Sequence, residues 1–401
     1  MTMNWEYISS TKPFIQRGWD KAGFTEPTSI QIKSVPLIVE GKDVIAESPT
    51  GTGKTLAYLL PILERIDPEK KDPQALILAS SRELVMQIFE EIQKWSEGSG
   101  IKGASLIGGA NVKRQLDKLK KQHPQVVVGT PGRVEELVKM KKLKMHEVQT
   151  VVLDEVDQLL VPEHLGTVKS IIKSTLNDRQ LLLFSATLSD KAVDVGKELT
   201  TNPEVIKVQR NAQQNANVEH FYIVSEQRDK IKVLEKIARM AGVTALAFGK
   251  DIGELQVIAE KISYKQVPVG VLHSEMRKDE RQKALKQFRD GKSNLLLATD
   301  VAARGLDIEG LSHVVHIDVP EEAKQYLHRS GRTGRAGASG TVISIVNERD
   351  ERNLKKLGRE IGIELEPKTL YGGEIVDARP ARDQSIKNKP KGQVPKKKTK
   401  R

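Results

Sequence analysis

The 401-residue chain contains no cysteine. That excludes disulfides, thiolate metal sites and a cysteine nucleophile, and it suits a reducing interior. No apolar run approaches the roughly 20 residues needed to cross a bilayer. The start, Met1-Thr2-Met3-Asn4-Trp5, lacks the basic segment and apolar stretch of a secretory leader. These absences predict a cytoplasmic location and no membrane partner. What is present is an ordinary globular balance, 38% hydrophobic and 29% charged. At about 150 residues per domain this length suggests two or three domains, and two if one end is a tail. The net charge of +12 is unevenly placed: residues 387–401 hold seven Lys, one Arg and no acid, which leaves +4 for residues 1–386. The body is mildly basic and the C-terminus is a cationic brush.

Continuous apolar runs recur at 43–46, 75–79, 126–129, 151–153 and 181–184, with helical stretches such as 55–66 and 82–95 between them. Runs of this kind, not alternating ones, indicate strands covered on both faces of a parallel sheet. The second half repeats the plan, with strands expected at 245–248, 269–272, 295–298, 313–317 and 341–346 and helices at 228–241, 251–262 and 278–289. Strand–helix alternation implies an α/β class with right-handed crossovers. The polar, Gln/Asn-rich segment 209–217 reads as a linker. The expected division is an N-terminal nucleotide-binding domain over 1–208, the linker over 209–217, a second domain over 218–365 and a basic tail over 366–401. The end of that tail is too poor in apolar residues to fold alone.

The strongest local signal is Ser48-Pro49-Thr50-Gly51-Thr52-Gly53-Lys54-Thr55, between a strand and a helix. This is the context of a phosphate-binding loop, with Ser48 where the usual pattern has its first glycine. Backbone N–H groups beside the glycines approach phosphates, and the helix N-terminus adds positive potential. Lys54 would hold the β- and γ-phosphates, and Thr55 would place its hydroxyl on Mg²⁺. Asp154-Glu155-Val156-Asp157 follows another strand. There Asp154 would bind Mg²⁺ through water and Glu155 would polarise the attacking water. Adjacent acids after a strand also cap helices, so this pair gains its meaning from the loop beside it. Ser185-Ala186-Thr187, after the strand at 181–184, is open to a bond with an acid, a bond with the other domain or a helix start.

In the second half, His328-Arg329-Ser330-Gly331-Arg332-Thr333-Gly334-Arg335 concentrates arginines and glycines. An arginine reaching a transferring phosphoryl group is worth about 10³–10⁵ in rate. Upstream, Thr299 and Asp300 either cap a helix or face a ligand, and Gly305 with Asp307 fits a turn that presents a carboxylate to a ribose. One half therefore binds a nucleotide and the other supplies arginines, so hydrolysis would depend on closure across the linker.

Together these residues resemble the DEAD-box RNA helicase family over nearly residues 5–365. The resemblance implies two tandem RecA-like parallel-sheet domains of helicase superfamily 2 with a disordered basic C-terminal tail. It identifies Gly23-Phe24-Thr25-Glu26-Pro27-Thr28-Ser29-Ile30-Gln31 as the family's Q motif, with Gln31 reading adenine and Phe24 near it, and Trp5 as the isolated upstream aromatic. The phosphate loop, the acidic box and 185–187 are its motifs I, II and III. RNA contacts are implied for Arg82 of motif Ia, for Gly108-Gly109, for Thr130-Pro131-Gly132-Arg133, for Arg281 and for Thr299. Motif IV is Ala247-Phe248-Gly249, and motifs V and VI cover 299–307 and 328–335. Asp307 is implied to touch the ATP ribose, and Arg332 and Arg335 to be arginine fingers. The chain departs from the pattern at Val156 in the box, at Ser80-Ser81 in motif Ia, at Ser330 in motif VI and at Lys278, where the family has Gln three residues before Arg281.

These features predict a monomeric RNA-dependent ATPase that uses ATP and Mg²⁺ for local, non-processive strand separation; among the family's settings of ribosome assembly, cold adaptation and mRNA turnover, the resemblance alone points to ribosome assembly. Two other readings stay open: an ATP-gated RNA clamp or scaffold, and a DNA translocase. The tail's cations would add sequence-independent affinity for phosphates.

Overall fold

The computed structural model describes residues 5–208, 218–303, 308, 310–334 and 338–378. Two α/β lobes follow each other. In the first, β1 (Val44–Glu47), β2 (Ala75–Ala79), β3 (Gly103–Leu106), β4 (Val126–Gly129), β5 (Thr150–Asp154), β6 (Gln180–Ser185) and β7 (Glu204–Lys207) form one sheet of order β3-β4-β2-β5-β6-β1-β7. Every pairing is parallel. Strands β2, β4 and β5 are buried along their whole length, because helices cover both faces: one core contains Leu59, Ile77 and Val128, and the other Leu78, Val127 and Leu153. A parallel sheet needs this double cover. The helices that matter below are α1 (Glu6–Ser10), α2 (Pro13–Lys21), α3 (Ser29–Val39), α4 (Lys54–Arg65), α5 (Arg82–Trp95), α6 (Val112–Gln122), α7 (Pro131–Lys139), α8 (Val156–Leu159), α9 (Pro162–Lys173) and α10 (Asp190–Leu199).

The second lobe repeats the frame. Its strands are β8 (Val218–Val224), β9 (Ala245–Phe248), β10 (Val269–Leu272), β11 (Leu295–Ala298), β12 (His313–His316), β13 (Gly340–Val346), β14 (Glu366–Tyr371) and β15 (Glu374–Asp377), in the order β10-β11-β9-β12-β13-β8-β14-β15. Helices α11 (Lys230–Ala238), α12 (Ile252–Tyr264), α13 (Lys278–Arg289), α14 (Asp300–Ala303), α15 (Ala323–Ser330) and α16 (Glu348–Ile361) surround it. The two tandem parallel-sheet lobes match the RecA-like plan read from the sequence.

The lower boundary of the tail needs correction. Residues 366–377, assigned to the tail, form an antiparallel hairpin that joins the sheet where Glu366 and Pro367 pair with β8. The turn is Gly372-Gly373, and both glycines have positive φ, 61° and 87°. That backbone matches the twist of a two-residue hairpin, and glycine adopts it without a Cβ clash. The hairpin is mostly exposed, so its apolar signal is thin. The sequence pattern also passed over β3, β7 and β8, which are short, lie near a sheet edge or follow the polar linker. Residues 209–217 and those from 379 onward lie outside the described residues.

Candidate active site

The site is assembled at the C-terminal ends of the strands, where open α/β sheets hold their ligands. After β1, Gly51 and Gly53 take φ of 76° and 82° and turn the chain into α4. A Cβ on Gly53 would lie 2.6 Å from Gln31 Nε2, so glycine is needed there for closeness as well as for φ. Gln31 is buried and bridges two segments: Thr28 N donates to its Oε1 (2.9 Å) and its Nε2 donates to Gly53 O (3.3 Å). The Q motif is thus tied to the phosphate loop. Ser48 is buried, with its hydroxyl 2.7 Å from that of Thr52, which donates to Pro49 O (2.7 Å). A hydroxyl bond braces the loop at the position where the usual pattern has glycine. Lys54 Nζ donates to Ser48 O (2.6 Å) and Pro49 O (2.8 Å). Burial pushes this ammonium down to about 8, against the opposing pull of Asp154 and Glu155. Thr55 follows at the start of α4.

The acids are held from their own lobe. Tyr58 Oη donates to Asp154 Oδ2 (2.9 Å), and Glu155 N donates to Asp154 Oδ1 (2.9 Å). Ser80 Oγ donates to Glu155 Oε2. Glu155 has a left-handed backbone, φ 57°, the kind of strain that gathers at functional positions. Burial pushes both carboxyls up; Lys54 opposes this at Asp154, and at Glu155 Ser80 opposes it ahead of Arg332. Asp157 is also buried, but Lys324 and hydrogen bonds from Ser185 and Gln158 outweigh burial and hold it below the usual carboxylate range. Ser185 thus bonds an acid, the first of the readings open for 185–187. The Thr187 hydroxyl is buried without a protein partner.

The second lobe meets this surface directly. Thr50 Oγ1 donates to Gly331 O (3.4 Å), and a Cβ on Gly331 would collide with the Thr50 hydroxyl. Arg281 Nη2 pairs with Glu83 Oε1 (3.1 Å), and Lys324 pairs with Asp157. Between the lobes lies a cavity of about 270 Å³, lined by Glu155 from the first and by Lys324, His328, Arg329 and Arg332 among others from the second. Arg332 Nε donates to His328 O (3.3 Å). Arg329, 1% exposed, is fixed by Asp300 (Nη2 to Oδ2 2.6 Å) and lies over the Phe248 ring, 5.1 Å from its centroid. Burial pushes His328 down to about 4. Asp307, Arg335 and the side chain of Lys278 lie outside the described residues.

Of the residues implied to touch RNA, Arg82 is exposed and its guanidinium lies beside Gly109, whose φ is 74°. Thr130 is the N-cap of α7, followed by Pro131 and an exposed Gly132. Arg133 faces inward: it is only 7% exposed, its Nη atoms donate to Ala110 O (3.3 Å) and its Nε pairs with Glu136 (2.9 Å). It braces the Gly109–Ala110 turn from inside. Thr299 is buried and caps α14, and Arg281 is taken up by Glu83 and by Ala302 O (2.6 Å). Phe24 keeps one face exposed, stacks on Trp95 (6.3 Å) and meets Trp19 edge-on (5.1 Å); Trp5 packs on Trp19 at 5.1 Å. Tyr58 and Lys324 are functional partners that sequence reasoning missed; Ser80, Glu83 and Asp157 fall inside its motifs, but their partners do not show there. Each of these pairings joins residues far apart in the chain, and no local spacing announces it.

Comparison with known proteins agrees with this geometry. The DEAD/DEAH box helicase model matches residues 28–195, and the helicase conserved C-terminal domain model matches residues 229–337. The chain is 58% identical over 375 residues to a probable ATP-dependent RNA helicase, YfmL, of Bacillus subtilis, covering 94% of this chain and 99% of that one. It is 49% identical to the DEAD-box ATP-dependent RNA helicase CshC of Bacillus cereus, covering 93% and 95%. A structure of Saccharomyces cerevisiae Dbp5 bound to RNA and ADP BeF3 superposes with a TM-score of 0.81 at 30% identity, over 90% of this chain and 95% of that one.

Proposed function

The chain belongs to the DEAD-box family of ATP-dependent RNA helicases, and from that premise we propose that ATP and RNA together close its two lobes and that closure completes the hydrolytic site. The observation that carries this reading is the inter-lobe cavity, in which Glu155 of one lobe faces Arg332 of the other.

In this mechanism the phosphate loop and Lys54 hold the triphosphate through backbone N–H groups and the ammonium. Gln31, already bonded to Gly53, reports adenine occupancy to that loop. Mg²⁺ fits the site chemically: burial disfavours the charged forms of Asp154 and Glu155, which a cation relieves. Asp154 and the Thr55 hydroxyl would hold it, and when bound it neutralises phosphate charge. Glu155, held by Ser80, orients and deprotonates the attacking water. Arg332, with Arg335, stabilises the charge that builds on the transferred phosphoryl group.

Arg82, Gly109, Thr130 and Gly132 would grip one strand by its backbone, with Arg133 and Arg281 supporting them from behind. Recognition through phosphates and 2′-hydroxyls selects RNA by shape without sequence. Closure strains a short duplex and frees a few base pairs, and hydrolysis reopens the cleft. We assign the work to a monomer in the cytoplasm acting on structured RNA, with ribosome assembly or cold response as its setting.

The test compares ATP turnover and strand displacement of a short duplex with and without RNA, beside Lys54→Ala. We expect at least tenfold stimulation by RNA, little by single-stranded DNA, and none in Lys54→Ala. Turnover that ignores RNA contradicts the proposal. Tight ATP-dependent RNA binding without displacement would identify a clamp, and equal stimulation by DNA a translocase.

A further inference from the structure

We propose that Lys324 is a positioning residue that couples lobe closure to the acidic box, by bringing a cation from the second lobe onto Asp157 of the first. Asp157 is 4% exposed at its side chain. Its donors from its own lobe are neutral: Ser185 Oγ on Oδ1 and Gln158 Nε2 on Oδ2 (3.0 Å). Lys324 arrives from α15 and supplies the countercharge. A buried carboxylate without a countercharge is costly, and removing one partner of such a pair leaves that cost uncompensated. The pair therefore exists only when the lobes meet, and it favours their meeting.

The position of the pair gives it a consequence for chemistry. Asp157 lies on α8, whose N-cap is Glu155, and its other oxygen holds Ser185 at the end of β6. A pull on Asp157 is thus applied to the short helix that sets Glu155 in the cavity, which Lys324 itself lines. His328, one turn further along α15, does not supply this charge. Its Nε2 is buried without a hydrogen-bond partner, and burial keeps the ring neutral. Lys324 is 34% exposed at its side chain, so neutralising it should leave the lobe folded.

The inference rests on the closure reading above, and the experiment separates the two. The chain has no native cysteine, so single cysteines at exposed Lys118 and Lys261 accept a donor and an acceptor dye. Energy transfer is followed against a single-stranded RNA in the presence of a non-hydrolysable ATP analogue. We expect Lys324→Met to raise the RNA concentration for half-closure about tenfold, within the range for directly coupled residues. Maximal turnover at saturating RNA should change by less than about threefold, since excess RNA closes the lobes without the pair and Glu155 keeps its own bond from Ser80. Lys324→Arg should restore the midpoint, and in an Asp157→Asn background Lys324→Met should have no further effect. Lys324→Gln repeats the measurement with a second neutral side chain. A midpoint unchanged in Lys324→Met and Lys324→Gln, or an undiminished effect beside Asp157→Asn, overturns the role of Lys324 alone. A wild type that never closes with analogue and RNA overturns the closure reading with it.

Discussion

The two lobes share one frame and divide the chemistry unequally. Laid side by side, the sheet orders β3-β4-β2-β5-β6-β1-β7 and β10-β11-β9-β12-β13-β8-β14 place β1 opposite β8 and β5 opposite β12. After β1 comes a loop whose glycines at 51 and 53 let backbone N–H groups face an anion. After β8 comes Ser225-Glu226-Gln227-Arg228-Asp229, with no glycine and two acids, which cannot cradle a phosphate. β5 ends on Asp154, and the next residue, Glu155, lines the cavity. After β12, Asp318 is spent within its lobe, receiving Lys250 N (2.9 Å) and facing Lys230 (3.8 Å). The second lobe instead offers cations from the segment between β12 and β13: Lys324 and Arg332. The same scaffold is a phosphate cradle in one copy and the partner that completes it in the other, because function resides in the loops at the strand ends.

The variant with the largest expected effect removes the second lobe's share. Arg332→Ala should lower RNA-stimulated turnover by about 10³ while ATP binding to the phosphate loop persists; measured turnover and nucleotide affinity check this, and equal loss of both would place Arg332 in binding. Gly331→Ala puts a methyl group where Thr50 stands, so the lobes cannot meet closely. Turnover should fall about tenfold or more, as for misplaced reacting groups, with thermal stability unchanged. Pairing it with Thr50→Gly should recover activity.

Tyr58→Phe tests the first lobe alone. It removes one hydrogen bond to a buried carboxylate, worth about 1.5–3 kcal/mol, and should weaken metal-dependent turnover about tenfold without changing RNA affinity. The smallest effect concerns pH. Burial keeps His328 and His316 neutral, the former down to about 4. As pH falls below about 6.5 the unfolded chain binds protons that the folded chain refuses, so stability is full above that value and declines toward acid. His328→Gln should make the acid decline in melting temperature shallower, and the histidine should show no NMR titration above pH 5.

The distribution of functional groups explains what could be read in advance. The phosphate loop, the acidic box and the arginine cluster are contiguous segments whose backbone and charge demands leave marks in adjacent residues. The strands that carry them are buried on both faces, so β2, β4 and β5 announce themselves as unbroken apolar runs. Ser80 with Glu155, Tyr58 with Asp154 and Lys324 with Asp157 are brought together by the sheet and by lobe contact. A lone serine, tyrosine or lysine in a helix or turn carries no trace of such a partner. Arg133 and Arg281 are read toward RNA because they are arginines in the right motifs; that Arg133 packs on Ala110 and Glu136 and that Arg281 pairs with Glu83 depends on packing that spacing does not encode. The hairpin of β14 and β15 was passed over because its strands are exposed and its one strong mark is Gly372-Gly373.

The most direct test of the split site is the coupling between its two ligands. RNA affinity is measured with and without a non-hydrolysable ATP analogue, and analogue affinity with and without RNA. If closure joins the lobes around both, each ligand tightens the other by the same factor, as reciprocity requires, and that factor should be at least about tenfold. Affinities that do not change when the other ligand is added would contradict the account.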